Sequence, residues 1–265
     1  MAIGVILGLL VGAVLGLTGA GGGILAVPAL IFGLGISMPQ AVPIALIAVG
    51  MGAALGAFYG LRRGTVRYKA ALLMGAAGVL GSPLGVAMAH RLPAQGLSLL
   101  FAAIMVLVSL RTLRQARGLG SPAHQADAAK TCRISPNTGR FVWTGKTAAT
   151  LGAIGVISGL CTGMLGVGGG FIIVPALAHY TELRMHSIVP TSLTVIVLVS
   201  AFTVASFLAQ GLVIAPPEWA FIGAVVAGMA VGQYLARRLT ASVLQRGFAS
   251  VCLVVAGLLI ARSLM

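Results

Sequence analysis

The chain has 265 residues, 59% of them hydrophobic and only 8% charged; a soluble domain carries about 25% charged residues, so a water-facing globular surface is excluded. A net charge of +14 would suggest nucleic acid in a soluble protein, but here the Lys and Arg residues stand between apolar runs, as membrane topology requires, so no nucleic-acid partner is expected. Cys132, Cys161 and Cys252 are too scattered for a disulfide framework or a CxxC or Cys/His set, and neither metal nor cofactor is expected.

Met1 to Leu61 contains no Lys, Arg, Asp or Glu, and its start lacks the basic region of a cleavable leader. Inside it, Gly16-Leu17-Thr18-Gly19-Ala20-Gly21-Gly22-Gly23 leads into Val27-Pro28-Ala29-Leu30. As one helix, Ile3 to Gly35 would be about 50 Å long against a hydrocarbon core of about 30 Å. That is too long for one span and too short for two. A break at Gly19–Gly23 is therefore predicted, giving two half-helices that meet inside the membrane or a hairpin that returns to its own side.

Apolar runs follow at Ala41–Tyr59, Ala70–Ala89 and Ala94–Leu110. Arg111 to Lys146 then changes in kind, with Ser121-Pro122, Ser135-Pro136-Asn137 and interspersed basic residues, and reads as a flexible cytoplasmic linker. Beyond it the glycine unit recurs as Gly163-Met164-Leu165-Gly166-Val167-Gly168-Gly169-Gly170 before Val174-Pro175-Ala176-Leu177, 147 residues after the first (Gly16 to Gly163). The same ungapped offset pairs Gly8 with Gly155, Gly12 with Gly159, Pro43 with Pro190, Gly64 with Gly211 and Gly81 with Gly228. Three more apolar runs close the chain, Ile188–Ala209, Trp219–Ala236 and Val243–Ile260. The reading is an all-α polytopic membrane protein made of a first membrane repeat (1–112), a linker (113–145) and a second repeat (146–265). Each repeat holds a broken glycine-rich unit and three transmembrane helices.

Charge gives the orientation. If each glycine unit re-emerges on its side of entry, every Lys and Arg except Arg91 and Arg262 falls on the cytoplasmic side of the inner membrane. A single crossing would move Arg184, Arg237, Arg238 and Arg246 outside as well. The loop Arg62–Lys69 carries four cations and its counterpart Ala209–Pro216 none, as expected if the repeats have inverted topology. Such a pair of repeats is a scaffold for alternating access.

Gly8, Gly12, Gly16 and Gly19, copied by Gly155, Gly159, Gly163 and Gly166, would line one helix face and read as a packing seam. The triplets Gly21-Gly22-Gly23 and Gly168-Gly169-Gly170 read instead as unwound backbone with N–H groups to offer. Pro28 and Pro175 remove a further bond in the half-helices that follow. No strand precedes the glycines and no Lys-Ser/Thr follows, so a nucleotide loop is excluded. With no charged side chain at mid-depth, helix N-termini are the available partners for a small anion. Hydroxyls at Thr18, Thr162, Thr191, Ser192 and Thr194 are candidate wall groups, unless they spend themselves on their own helix carbonyls. No catalytic constellation is visible, so no enzyme chemistry is expected.

On Gly16-x-x-Gly19-x-Gly21-Gly22-Gly23 with Pro28-Ala29-Leu30, its second copy through Pro175-Ala176-Leu177, and Pro190-Thr191-Ser192-Leu193, the chain resembles the sulfite exporter TauE/SafE family. The resemblance covers nearly the whole chain apart from the linker. It implies a bilayer-embedded transporter of sulfite, sulfonates or related organic anions, often exporting them. Pro43-Ile44-Ala45-Leu46 departs from the Thr-Ser pair of the second copy. A channel for anions on the same scaffold, or an assembly partner that transports nothing, are the rival readings. The coupling ion and oligomeric state are not legible.

Overall fold

The computed structural model describes residues 2–19, 22–116, 132, 141, 143–211, 214–235 and 241–264. Ten α-helices run through them: α1 (Ala2–Thr18), α2 (Ala26–Gly33), α3 (Met38–Arg62), α4 (Tyr68–Arg91), α5 (Ala94–Ala116), α6 (Gly145–Leu165), α7 (Gly170–Tyr180), α8 (Met185–Ala209), α9 (Pro216–Leu235) and α10 (Ala241–Leu264). A single 3-10 turn, Gly22–Leu25, leads into α2. Six of the helices, α3 to α6, α8 and α9, are long and apolar enough to cross a membrane by length and composition. The predicted apolar runs thus all appear as helices. The glycine units appear as α1–α2 and α6–α7, each interrupted where the sequence is richest in glycine.

Glycine decides which helices touch. A Cβ at Gly8, Gly12 or Gly16 would run into Phe221, Val225 and Met229 of α9, in each case into a backbone carbonyl. Gly155, Gly159 and Gly163 stand in the same relation to Met74, Gly78 and Ser82 of α4. Both seams run with rising residue number on both helices, so α1 lies parallel to α9 and α6 parallel to α4. The two contact sets are copies, since Met74, Gly78 and Ser82 lie 147 positions before Phe221, Val225 and Met229. Backbones this close gain dispersion contacts that larger residues would prevent. Gly19 and Gly166 are not members of the seam. Each ends its helix with φ of 77° and 73° and abuts a valine of the other half, Val189 and Val42 respectively.

α3 and α8 cross at the centre in the opposite sense. Gly50 faces Ser200, Gly56 faces Leu193 and Gly60 faces Pro190, so residue numbers rise on one as they fall on the other. In the outer layer α5 and α10 pair, with the buried Ser109 hydroxyl donating to the Ala249 carbonyl at 2.6 Å.

The α1–α2 unit doubles back. Gly22 lies against Leu15, Gly33 against Leu7 and Ile3, and Gly4 against Leu34, which makes the unit an antiparallel hairpin whose end returns to the level of its start. The α6–α7 unit behaves alike. Cys132 donates its N–H to the Tyr180 carbonyl at the end of α7 (3.1 Å), and its thiol meets Thr147 at the start of α6. Burial pushes that thiol above its usual range, opposed by the Thr147 hydrogen bond. Most of the expected linker, at 117–131, 133–140 and 142, lies outside the described residues. Cys132 and Phe141, within it, are buried against the α4, α6, α7 and α8 cluster.

Candidate functional site

The two breaks meet at the centre of the molecule. Gly23 abuts the Val167 carbonyl, and the Val49 side chain of α3 packs on both Gly23 and Gly168. Ile196, the counterpart of Val49 on α8, covers Gly168 from the other side, and both side chains are fully buried. The junction is thus packed over by apolar side chains from both central helices.

Each break is built from the same motif, yet they are finished differently. In the first, Thr18 donates to the Val14 carbonyl at 2.7 Å and accepts the Gly22 N–H at 3.0 Å. The chain then enters the 3-10 turn, with Gly22 pressed on the backbone of Leu15, and continues into α2 through a Leu25 in helical torsions. The donor at the start of this turn is therefore already taken. Gly21 lies outside the described residues.

In the second, α6 ends at Gly166, whose N–H bonds the Thr162 carbonyl at 2.9 Å. Gly168 and Gly169 both take left-handed torsions, φ 74° and 66°, which a β-branched residue would resist. Gly169 then caps α7 with no side-chain hydrogen bond to the helix. Its carbonyl serves the N–H groups of Ile172 (3.0 Å) and Ile173 (3.1 Å), leaving those of Gly170 and Phe171 ahead of the helix ladder. A Cβ at Gly169 would strike the hydroxyl of Ser158, and the Thr162 hydroxyl stands beside the same position. Thr162 itself donates to the Ser158 carbonyl at 2.7 Å. The Ser158 hydroxyl, 1% exposed, has no hydrogen-bond partner.

An unpartnered buried hydroxyl beside an uncapped helix start is a donor set without an acceptor. At the equivalent positions the first half has Val11 and Leu15, both buried and apolar. Ser158 escaped the sequence reading, which named hydroxyls beside the breaks (Thr18, Thr162) and after Pro190 (Thr191, Ser192, Thr194). The signal was available as a serine one helical repeat before Thr162, where the first copy has valine.

The other candidate hydroxyls lie elsewhere. Thr191 donates to the Ser187 carbonyl at 2.6 Å and accepts the Arg67 N–H at 3.0 Å, which ties α8 to the loop between α3 and α4. Ser192 donates to Val189 and Thr194 to Pro190, at 2.8 and 2.9 Å. Pro28 and Pro175 sit inside α2 and α7, which continue through them, so the interruptions themselves fall on the glycines. A cleft of about 740 Å³ beside the junction brings together Thr18, Gly170 and Phe171 with Arg111, Thr112 and His179. Its remaining walls are apolar, and His179 stacks edge-on to Tyr180 at 4.9 Å between ring centres. Among the described residues, no group of three or more His, Cys, Asp or Glu comes together as a metal site.

The family model for the sulfite exporter TauE/SafE family matches residues 4–259. The chain belongs to that family. It is 30% identical over 257 residues to a "Probable membrane transporter protein" of Xylella fastidiosa strain Temecula1, covering 96% of this chain and 92% of that one. It is 28% identical over 232 residues to "Probable membrane transporter protein YunE" of Bacillus subtilis strain 168, covering 84% and 82%. No solved structure matches. The chain is thus a helical membrane transporter of the TauE/SafE family.

Proposed function

We propose that the protein is a secondary transporter that exports a small anion, such as sulfite, a sulfonate or a related organic anion, across the inner membrane. The observation that carries the reading is the second break. There the N-terminus of α7 and the Ser158 hydroxyl converge, with Thr162 adjacent, and no protein acceptor uses them. A helix start presents about half a positive charge together with free N–H donors, which suits an oxyanion and spares the cost of a buried cation. Gly168, Gly169 and Gly170 supply the backbone of this site, while Thr18, Gly22 and Gly23 shape the opposing wall.

Alternating access is supported by the direction of the helices. Two repeat-equivalent helices, α3 and α8, pack antiparallel, which a two-fold axis lying in the membrane plane requires and one along the normal forbids. Reversal inside each glycine unit fits the same assignment, because α1 then shares its direction with α9 and α4 with α6. It also leaves the basic loops and the segment between the halves on the cytoplasmic side. The junction sealed by Val49 and Ile196 suits a carrier passing through an occluded state.

The test is flux of sulfite in proteoliposomes holding the purified protein. Saturating uptake that rises when the anion is preloaded on the opposite side is expected. Ohmic single-channel current would replace the carrier with a channel, and absence of flux for sulfite, sulfonates and short carboxylates alike would end the proposal.

A further inference from the structure

A second basic feature lies apart from the helix breaks, at the loop between α3 and α4. A pocket of about 330 Å³ is lined there by Arg67, Tyr68 and Lys69, with Phe141, Trp143 and Val66 completing its walls. Its base is the first turn of α4. The Ala71 N–H bonds the Arg67 carbonyl at 2.9 Å, no side chain caps the helix, and the N–H groups of Tyr68, Lys69 and Ala70 precede the ladder. The Arg67 backbone is pinned from below by Thr191 of α8. Its guanidinium Nε is buried and has no hydrogen-bond partner, and no acidic side chain is among the described residues lining the pocket.

Cations at a loop end are what membrane orientation demands, but orientation is served by solvated side chains. It gives no reason to bury a guanidinium nitrogen unpaired, which forfeits its hydration for nothing. Nor does the fold ask for it. The repeat-equivalent positions are Ile214, Ala215 and Pro216, which carry no cation and where the Glu218 carboxylate accepts the Ala215 N–H at the start of α9. A planar donor fork, a nearby ammonium and a helix start together form an acceptor-seeking set suited to a tetrahedral oxyanion. The exposed faces of Tyr68 and Trp143 frame it with the amphipathic rings typical of a membrane–water boundary.

We propose that this pocket binds a phosphate group, supplied by the headgroup of an anionic phospholipid or by free phosphate, with Arg67 and Lys69 as its cationic ligands.

The experiment uses the full chain purified in detergent, with binding followed by native mass spectrometry and by melting temperature. The probes are phosphatidylglycerol, phosphatidylcholine and inorganic phosphate. The parent should retain phosphatidylglycerol at least ten-fold more tightly than phosphatidylcholine. Arg67→Gln should lose about ten-fold and Lys69→Gln about three-fold of that affinity, while Arg91→Gln, at the far end of α4, should change nothing. Arg67→Gln keeps the backbone bond to Thr191; if it nevertheless fails to fold, the exposed Lys69→Gln decides alone. Inorganic phosphate that binds as tightly as the lipid, with the same dependence on Arg67 and Lys69, assigns the pocket to free phosphate. Equal retention of the two lipids with no phosphate binding, or affinity untouched by both substitutions, overturns the proposal.

Discussion

The two helix breaks share a motif and a place in the fold, and they differ in what lies behind them. Behind Gly22 stands Leu15, the position equivalent to Ser158 is the buried Val11, and Thr18 closes off the Gly22 N–H. Behind Gly169 stand Ser158 and Thr162, with the Ser158 hydroxyl unclaimed. The repeat therefore fixes where each unit breaks, while the backbone beyond the break (a 3-10 turn in one copy, left-handed Gly168 and Gly169 in the other) and the side chains behind it differ. Duplication supplies the frame, and the side chains behind each break make its two halves unequal.

The comparison is tested most severely by topology. Arg63 and Gln210 are repeat-equivalent and exposed. In a Cys-free background, Arg63→Cys and Gln210→Cys should react with an impermeant maleimide from opposite faces of the membrane, all or none. Reaction from a common face would mean that the halves are not inverted.

Next in size are the seams, where the halves should behave alike. Gly12→Val and Gly159→Val each drive a branched side chain into a backbone carbonyl of the facing helix. Overpacking of this kind costs about 1–3 kcal/mol and more when backbone must move. Both variants should lose most of the monodisperse peak in size-exclusion chromatography, and a large gap between them would show unequal seams.

At the breaks the halves should diverge. Ser158→Ala removes the donor proposed for the anion, and a hydrogen bond to a charged group is worth about 1.5–3 kcal/mol, so anion affinity should fall about ten-fold or more. Val11→Ala, at the equivalent place, should leave affinity unchanged and cost only packing. Isothermal titration with sulfite distinguishes the outcomes; equal effects of the two changes would spread the site over both breaks.

The smallest effect belongs to Thr18→Val. It frees the Gly22 N–H and should lower stability by about 1 kcal/mol, seen as a shift in melting temperature, with affinity preserved. A loss of affinity larger than the loss of stability would place Thr18 among the ligands.

Much of the frame was legible before any coordinates. Apolar runs of about bilayer length gave the spanning helices, and a glycine unit too long for one span and too short for two left little choice but broken helices. The small-residue spacing of Gly8, Gly12 and Gly16 gave the seam, though not its partner. Gly19 extended the same spacing yet ends its helix, because a period along a sequence cannot tell a residue on a packed face from one that leaves the helix. Thr191, Ser192 and Thr194 took the alternative the sequence had left open, each bonding a carbonyl of its own helix. Cys132 and Phe141 sit in a segment whose composition suggested no core at all.

The amino-acid sequence by itself determined the solvent, the helical class and the doubling, because these depend on composition and on periods that act locally along the chain. Which helices face each other was decided only by tertiary packing. A glycine states that something comes close; only the folded chain names Val225 for Gly12 and Gly78 for Gly159. The fate of the polar groups divides the same way. Thr191 is satisfied inside its own helix by the Ser187 carbonyl, a local spacing, whereas only the folded chain sets the unpartnered Ser158 hydroxyl against Gly169 of the second break.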